Sequence, residues 1–93
     1  MFLGGRYEVQ DLINRGGMTY IHRGYDLRME RTVAIKVLRE IYSADDRIVR
    51  SFQNNAEAAS TLHHPNIVQV YDYGQTEDKY YIVMELVGHL TIE

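Results

Sequence analysis

Apolar residues fall into two rhythms along the chain. Tyr7 to Ile13 reads as a first strand, with Tyr7, Val9, Asp11 and Ile13 sharing one face. Tyr20 to Tyr25 reads as a second strand. Arg31-Thr32-Val33-Ala34-Ile35-Lys36-Val37-Leu38 is apolar on both faces, the pattern of a strand in the middle of a packed sheet. Short connections between these three predict an antiparallel meander. The period then changes. Ile48, Phe52, Asn55, Ala59 and Leu62 recur at spacings of four and three, one face of a helix, with Ala56 beside it. Ser43 is placed to cap this helix, and Asp46, three residues on, completes a capping box. Pro65 ends it after His63 and His64, because proline disfavours helical geometry in the residue before it. Ile67 to Tyr73 alternates again, Gly74 to Lys79 reads as a turn, and Tyr80 to Val87 is a strongly apolar fifth strand. The prediction is an α+β domain over residues 5–93: a five-stranded antiparallel sheet with one long helix between strands three and four.

Two features carry candidate chemistry. Lys36 lies among apolar neighbours, and an unpaired buried ammonium is costly, so its amine must reach an opening or meet an anion. A lysine that snorkels to the surface from a strand end satisfies the same pattern. Gly16-Gly17 lies between the first two strands. A glycine pair there is a turn signal, because glycine takes positive φ without a steric cost, and it leaves backbone N–H groups open to a phosphate. Most such pairs are simple hairpin turns. The adjacent His63 and His64 diverge and have no acidic or cysteine cluster beside them, so no metal site is expected.

Composition narrows the class. Ninety-three residues allow one small domain, and a net charge of −3 argues against a general nucleic-acid binder. Without cysteine, neither a disulfide framework nor a cysteine metal site can form. No apolar run approaches the roughly 20 residues that span a bilayer, and Met1 to Arg6 is too short for a secretory signal. A soluble, cytoplasmic chain is expected.

The glycine pair, its spacing from Lys36 and the Val33-Ala34-Ile35-Lys36 strand together resemble the glycine-rich loop and third strand of protein kinases, most of all the bacterial, eukaryote-like (Hanks-type) Ser/Thr kinases, whose loops often carry Gly-Gly-Met. Against the family pattern G-x-G-x-x-G-x-V, Asn14 stands at the first glycine, Gly16 matches the second, Thr19 stands at the third and Ile21 replaces the valine. His64-Pro65-Asn66-Ile67-Val68 resembles the turn after the family's helix, and Tyr81-Ile82-Val83-Met84-Glu85 its strand into the hinge. The order of elements is that of a kinase small lobe. The resemblance implies an ATP site formed by the loop (Ile13, Asn14, Arg15, Gly16, Gly17, Met18, Thr19, Tyr20 and Ile21), by Ala34 and Lys36, by Met84 at the gatekeeper position, and by the backbone of Glu85 and Val87 at the adenine edge. Val9, Ile13, Ile21 and Ala34 would supply the apolar ceiling.

Two positions depart from the family. In kinases the strand lysine pairs with a helix glutamate and contacts the nucleotide's phosphates. Phe52-Gln53-Asn54-Asn55-Ala56 aligns with F-x-x-E-A, so Asn55 occupies the glutamate position without a charge. Glu57 lies about 200° around the helix from it and cannot substitute. Asn14 is the other departure. The 93 residues contain no His-Arg-Asp loop, no Asp-Phe-Gly segment and no second magnesium ligand. The expectation is a small lobe without a large one: a weak ATP site, with magnesium only as it accompanies the nucleotide, and no phosphoryl transfer by these residues alone. The alternative is a non-catalytic kinase-like module that regulates a kinase or self-associates through an apolar underside.

Overall fold

A computed structural model describes residues 1–61, 68–76 and 79–86. It contains six strands, β1 (Phe2–Leu3), β2 (Tyr7–Arg15), β3 (Thr19–Asp26), β4 (Arg31–Leu38), β5 (Val70–Thr76) and β6 (Lys79–Met84), a short 3-10 turn (Glu40–Tyr42) and one α-helix, α1 (Asp46–Ser60). All neighbours pair antiparallel in one sheet of order β1-β2-β3-β4-β6-β5. The chain leaves β4, crosses as α1, forms the edge strand β5 and returns through β6 to pair with β4.

The sixth strand corrects the expected five. Gly4 and Gly5 both have positive φ, 59° and 66°, at the centre of a tight turn closed by the Arg6 N–H on the Leu3 carbonyl at 3.1 Å, a backbone that glycine adopts without a steric cost. That turn folds Phe2–Leu3 back on Tyr7 and Glu8, and Leu3 becomes 1 % exposed. Two residues are too few to show a period.

The faces of β4 divide the core. Val33, Ile35 and Val37 join Leu3, Tyr7, Tyr81 and Val83 on one face. Ala34 joins Ile21, Ile82, Met84 and Val70 on the other, where Ala56 of α1 packs. The first face is rolled inward: Tyr7 on β2 donates its hydroxyl to Asp72 on β5 at 2.6 Å, across a sheet in which three strands separate the two. The Tyr7 and Tyr81 rings meet edge-on at 6.0 Å inside the roll. The Asp26 carboxylate accepts from Arg6 Nε at 2.8 Å and Nη2 at 2.9 Å, and from the N–H groups of Arg28 and Met29. The fully paired buried carboxylate thus ties the β1–β2 turn to the β3–β4 turn.

Four local expectations change. The cap of α1 is Asp45, whose side chain accepts from the N–H groups of Arg47 and Ile48; Ser43 instead bonds the Glu40 carbonyl and closes the 3-10 turn. The helix is rotated relative to the expected stripe. Its buried residues are Val49 and Ala56, with Phe52 and Ala59 partly buried, while Asn55 is exposed and Ile48 half-buried. In addition, β5 and β6 extend through Thr76 and from Lys79, into the segment expected to be turn. Register shifts between Val9 and Leu12, and between Leu12 and Asn14, break the alternation expected for Tyr7 to Ile13. The helix end at Leu62 to Pro65, Ile67, the tip of the last hairpin and the chain from Val87 onward lie outside the described residues. Among the described residues no helix is long and apolar enough to cross a membrane.

Candidate functional site

β4 positions Lys36 by register. Lys36 sits between Ile21 on β3 and Ile82 on β6, and directly opposed residues in an antiparallel sheet share a face. Its side chain therefore projects on the helix side. There, a cavity of about 630 Å³ opens between the glycine loop and α1, lined by Met18, Thr19, Lys36, Arg47, Ser51 and Asn55 among others. Lys36 is half-buried, and no ion pair joins it to another described residue. The strand lysine thus reaches an opening, the outcome that its apolar neighbours require.

The structure brings Lys36, Met18, Thr19 and Asn55 to one cavity. Ile21, Ala34 and Met84 form a buried apolar patch on the same face, with Ala34 and Met84 directly paired. The Glu85 N–H donates to the Gln69 carbonyl at 2.9 Å, so the carbonyl of Glu85 is the backbone group left to meet a ligand. Val87 lies outside the described residues.

Other expected members stand elsewhere. Val9 packs against the rolled core with Tyr7 and Ile35, on the face opposite Ile21 and Ala34, and is no part of a ceiling over Lys36. Tyr20 pairs with Val37, which places its ring on the face opposite Lys36, with the guanidinium groups of Arg39 and Arg15 5.4 Å and 5.9 Å from its centre. Ile13 and Asn14 are half-buried, and Asn14 Oδ1 accepts from the Arg15 N–H at 2.7 Å.

The glycines act differently from expectation. Gly16 and Gly17 are absent from the positive-φ residues, which among the described glycines are Gly4 and Gly5. A Cβ at Gly16 would meet the rotatable Thr19 Oγ1 at 2.9 Å, and a Cβ at Gly17 would meet nothing within 4 Å. The Gly16 N–H is not open to an anion but donates to the Thr19 carbonyl at 2.8 Å, closing the hairpin.

Arg47 and Ser51 were not picked out by the sequence reading. Both precede Asn55 at intervals of four, so the same periodicity carries them to the cavity rim. Asp45 also lines the cavity, and its carboxylate is engaged in capping α1.

Among the described residues, a rolled antiparallel sheet carries one helix across it and a lysine beneath a glycine loop, the arrangement of elements expected of a kinase small lobe. The comparisons agree. The sequence profile described as "Protein kinase domain" matches residues 7–92. The chain is 44 % identical to the serine/threonine-protein kinase PrkC of Bacillus subtilis over 91 residues, 98 % of this chain and 14 % of that protein. It is 42 % identical to PknB of Mycobacterium leprae over 97 % of its own length and 15 % of that protein's. The Mycobacterium tuberculosis PknI kinase domain superposes with a TM-score of 0.78 at 30 % identity, over 94 % of this chain and 35 % of that one. The chain belongs to the protein kinase domain family and corresponds to the N-terminal lobe of bacterial Hanks-type Ser/Thr kinases. It spans about one-seventh of the length of these curated relatives.

Proposed function

We propose that this chain is the nucleotide-binding small lobe of a Ser/Thr protein kinase and that these 93 residues do not transfer phosphoryl groups by themselves. One observation carries the reading: Lys36 projects into the cavity bounded by the glycine loop and α1, with no carboxylate paired to it among the described residues. An amine so placed is suited to an anion. The residues present fit ATP. Leu38 and Ile82 give the cavity an apolar wall, with Ile21, Ala34 and Met84 buried on the same face of the sheet; the Glu85 carbonyl is an acceptor for the edge of a base, and Lys36 a cation for phosphate. ATP supplies a transferable γ-phosphoryl group; the residues of this lobe bind and orient. Transfer also needs positioned magnesium and a group that orients the acceptor hydroxyl, and the 93 residues contain neither a His-Arg-Asp nor an Asp-Phe-Gly segment. Magnesium would arrive with the nucleotide.

The test is an NMR titration with ATP. Shifts confined to Thr19, Ile21, Ala34, Lys36 and Met84 support the reading, and shifts scattered over the rolled face would overturn it.

A second reading is favoured by Asn55. With an amide at the glutamate position, Lys36 lacks the partner that holds it in an active kinase. The lobe would then be a non-catalytic module that self-associates or docks on another kinase. Lys36→Met would abolish nucleotide binding under the first reading and leave partner binding unchanged under the second.

A further inference from the structure

Arg39 stands immediately after β4, three residues beyond Lys36, and holds the tip of the glycine loop at three points. Its backbone N–H donates to the Met18 carbonyl at 2.9 Å. Its guanidinium Nη1 donates to the Gly17 carbonyl at 3.1 Å. The same guanidinium lies 5.4 Å from the centre of the Tyr20 ring, within the range of a cation–π contact. From the other side, the Gly16 N–H is fastened to the Thr19 carbonyl.

These bonds fix two consecutive peptide planes. No peptide bond among the described residues is cis, and in a planar trans peptide the C=O and N–H point in opposite directions. The Gly17 and Met18 carbonyls are turned toward Arg39. The Met18 N–H therefore points away from the Arg39 guanidinium, while the Thr19 N–H lies in the plane of the sheet on the β2 side, where the Thr19 carbonyl accepts from Gly16. Met18 and Thr19 line the cavity that Lys36 enters, whereas the Tyr20 ring that carries the Arg39 guanidinium lies on the opposite face.

We propose that Arg39 is a positioning residue of the phosphate site: by holding the Gly17 and Met18 carbonyls, it presents the Met18 N–H, together with Lys36, to the phosphates of a bound nucleotide. The inference rests on the nucleotide-binding reading above and adds a part to it. Neither glycine of the loop sets these planes through positive φ, so the orientation comes from outside the loop. Arg39 touches no atom of the nucleotide on this scheme. It acts through the loop backbone, and its effect belongs to the phosphates alone.

The experiment compares ATP with adenosine, which lacks phosphates, on the wild-type chain, Arg39→Ala and Arg39→Lys, alongside hydrogen exchange of the Met18 amide. Arg39→Ala keeps the backbone bond but loses the charge-assisted one, and should weaken ATP by about tenfold, the scale of one such bond. Adenosine affinity should stay within about twofold, and the Met18 amide should exchange faster. Arg39→Lys retains one donor and the charge but loses the planar guanidinium over Tyr20, and should lie between wild type and Arg39→Ala. Equal losses for ATP and adenosine would show general loosening and overturn the proposal, as would unchanged ATP affinity in the two variants. If Arg39→Ala does not fold, Arg39→Lys decides the matter by the same ATP-to-adenosine ratio. A wild-type chain that binds neither ligand would overturn the nucleotide reading itself, and this inference with it; a failure of the inference alone leaves wild-type binding intact.

Discussion

Asp26 is the residue most dependent on its surroundings. It is 1 % exposed, and the Arg6 guanidinium, helped by the Met29 and Arg28 N–H groups, holds its carboxyl down at about 2, against an ordinary value of 3.8. A depressed carboxylate contributes stability that is present above the unfolded value and is lost as pH falls through the folded one. The unfolded chain binds more protons in that window, so stability should fall by about 2 kcal/mol as pH is lowered from about 4 to about 2. Urea midpoints measured against pH check this. Arg6→Gln would leave the carboxylate buried without its guanidinium, at a cost of about 3 kcal/mol at neutral pH. The acid limb should then move upward in pH, and an unmoved limb would assign the depression to another group. Asn55 makes a second prediction. Asn55→Glu restores a carboxylate beside the cavity, and a partly exposed pair with Lys36 should add no more than about 1 kcal/mol, reduced by salt. Stability indifferent to both substitution and salt would mean that the two side chains do not meet. Lys36 and Asn55 were legible because each breaks a pattern, a cation in an apolar strand and an amide in a family motif. The Arg6–Asp26 pair was not, because twenty positions separate two residues that only the sheet brings together.

Strands and helix follow from the sequence where they are long enough to show a period. β4 has the expected bounds, Arg31–Leu38, and β3 extends the expected strand by one residue at each end. β1 was invisible at two residues, and the bulges in β2 undo an alternation that looks regular in sequence. The phase of α1 was misjudged because Leu62 and Ile48 drew the stripe toward Asn55, whereas packing selects Val49 and Ala56. The capping box failed for a local reason: the 3-10 turn takes Ser43, and Asp45 starts the helix. Asp45→Ala should therefore cost about 1 kcal/mol, while Ser43→Ala should leave helix content unchanged, both read by circular dichroism through urea unfolding. Gly24 offers a sharper test of how β2, β3 and β4 fit. A Cβ there would lie 2.3 Å from Ile35 Cδ1 and 2.8 Å from the Glu8 carbonyl oxygen, which is backbone and cannot swing aside. Gly24→Ala should cost about 1–3 kcal/mol, whereas Gly17→Ala, with open space around it, should change stability by less than about 0.5 kcal/mol. Equal effects at the two glycines would contradict the packing described.

The two sides of β4 carry different parts of the molecule: a core cluster alone on one, and a second core cluster together with the Lys36 cavity on the other. Val33, Ile35 and Val37 fill the rolled core, where Tyr7, Asp26 and Asp72 close the sheet on itself. Ala34 and Lys36, one residue out of phase, face the helix and the cavity. Substitutions on the first side should unfold the chain, and substitutions at Lys36 should not. The central claim, that the second side holds a nucleotide through Lys36, is tested most directly by calorimetric titration of magnesium-ATP into the chain and into Lys36→Met, with the fold of both verified by circular dichroism. Binding by the wild-type chain that disappears in a folded Lys36→Met variant is the predicted result. Equal binding by the two chains, or none by a folded wild-type chain at millimolar ATP, would contradict it.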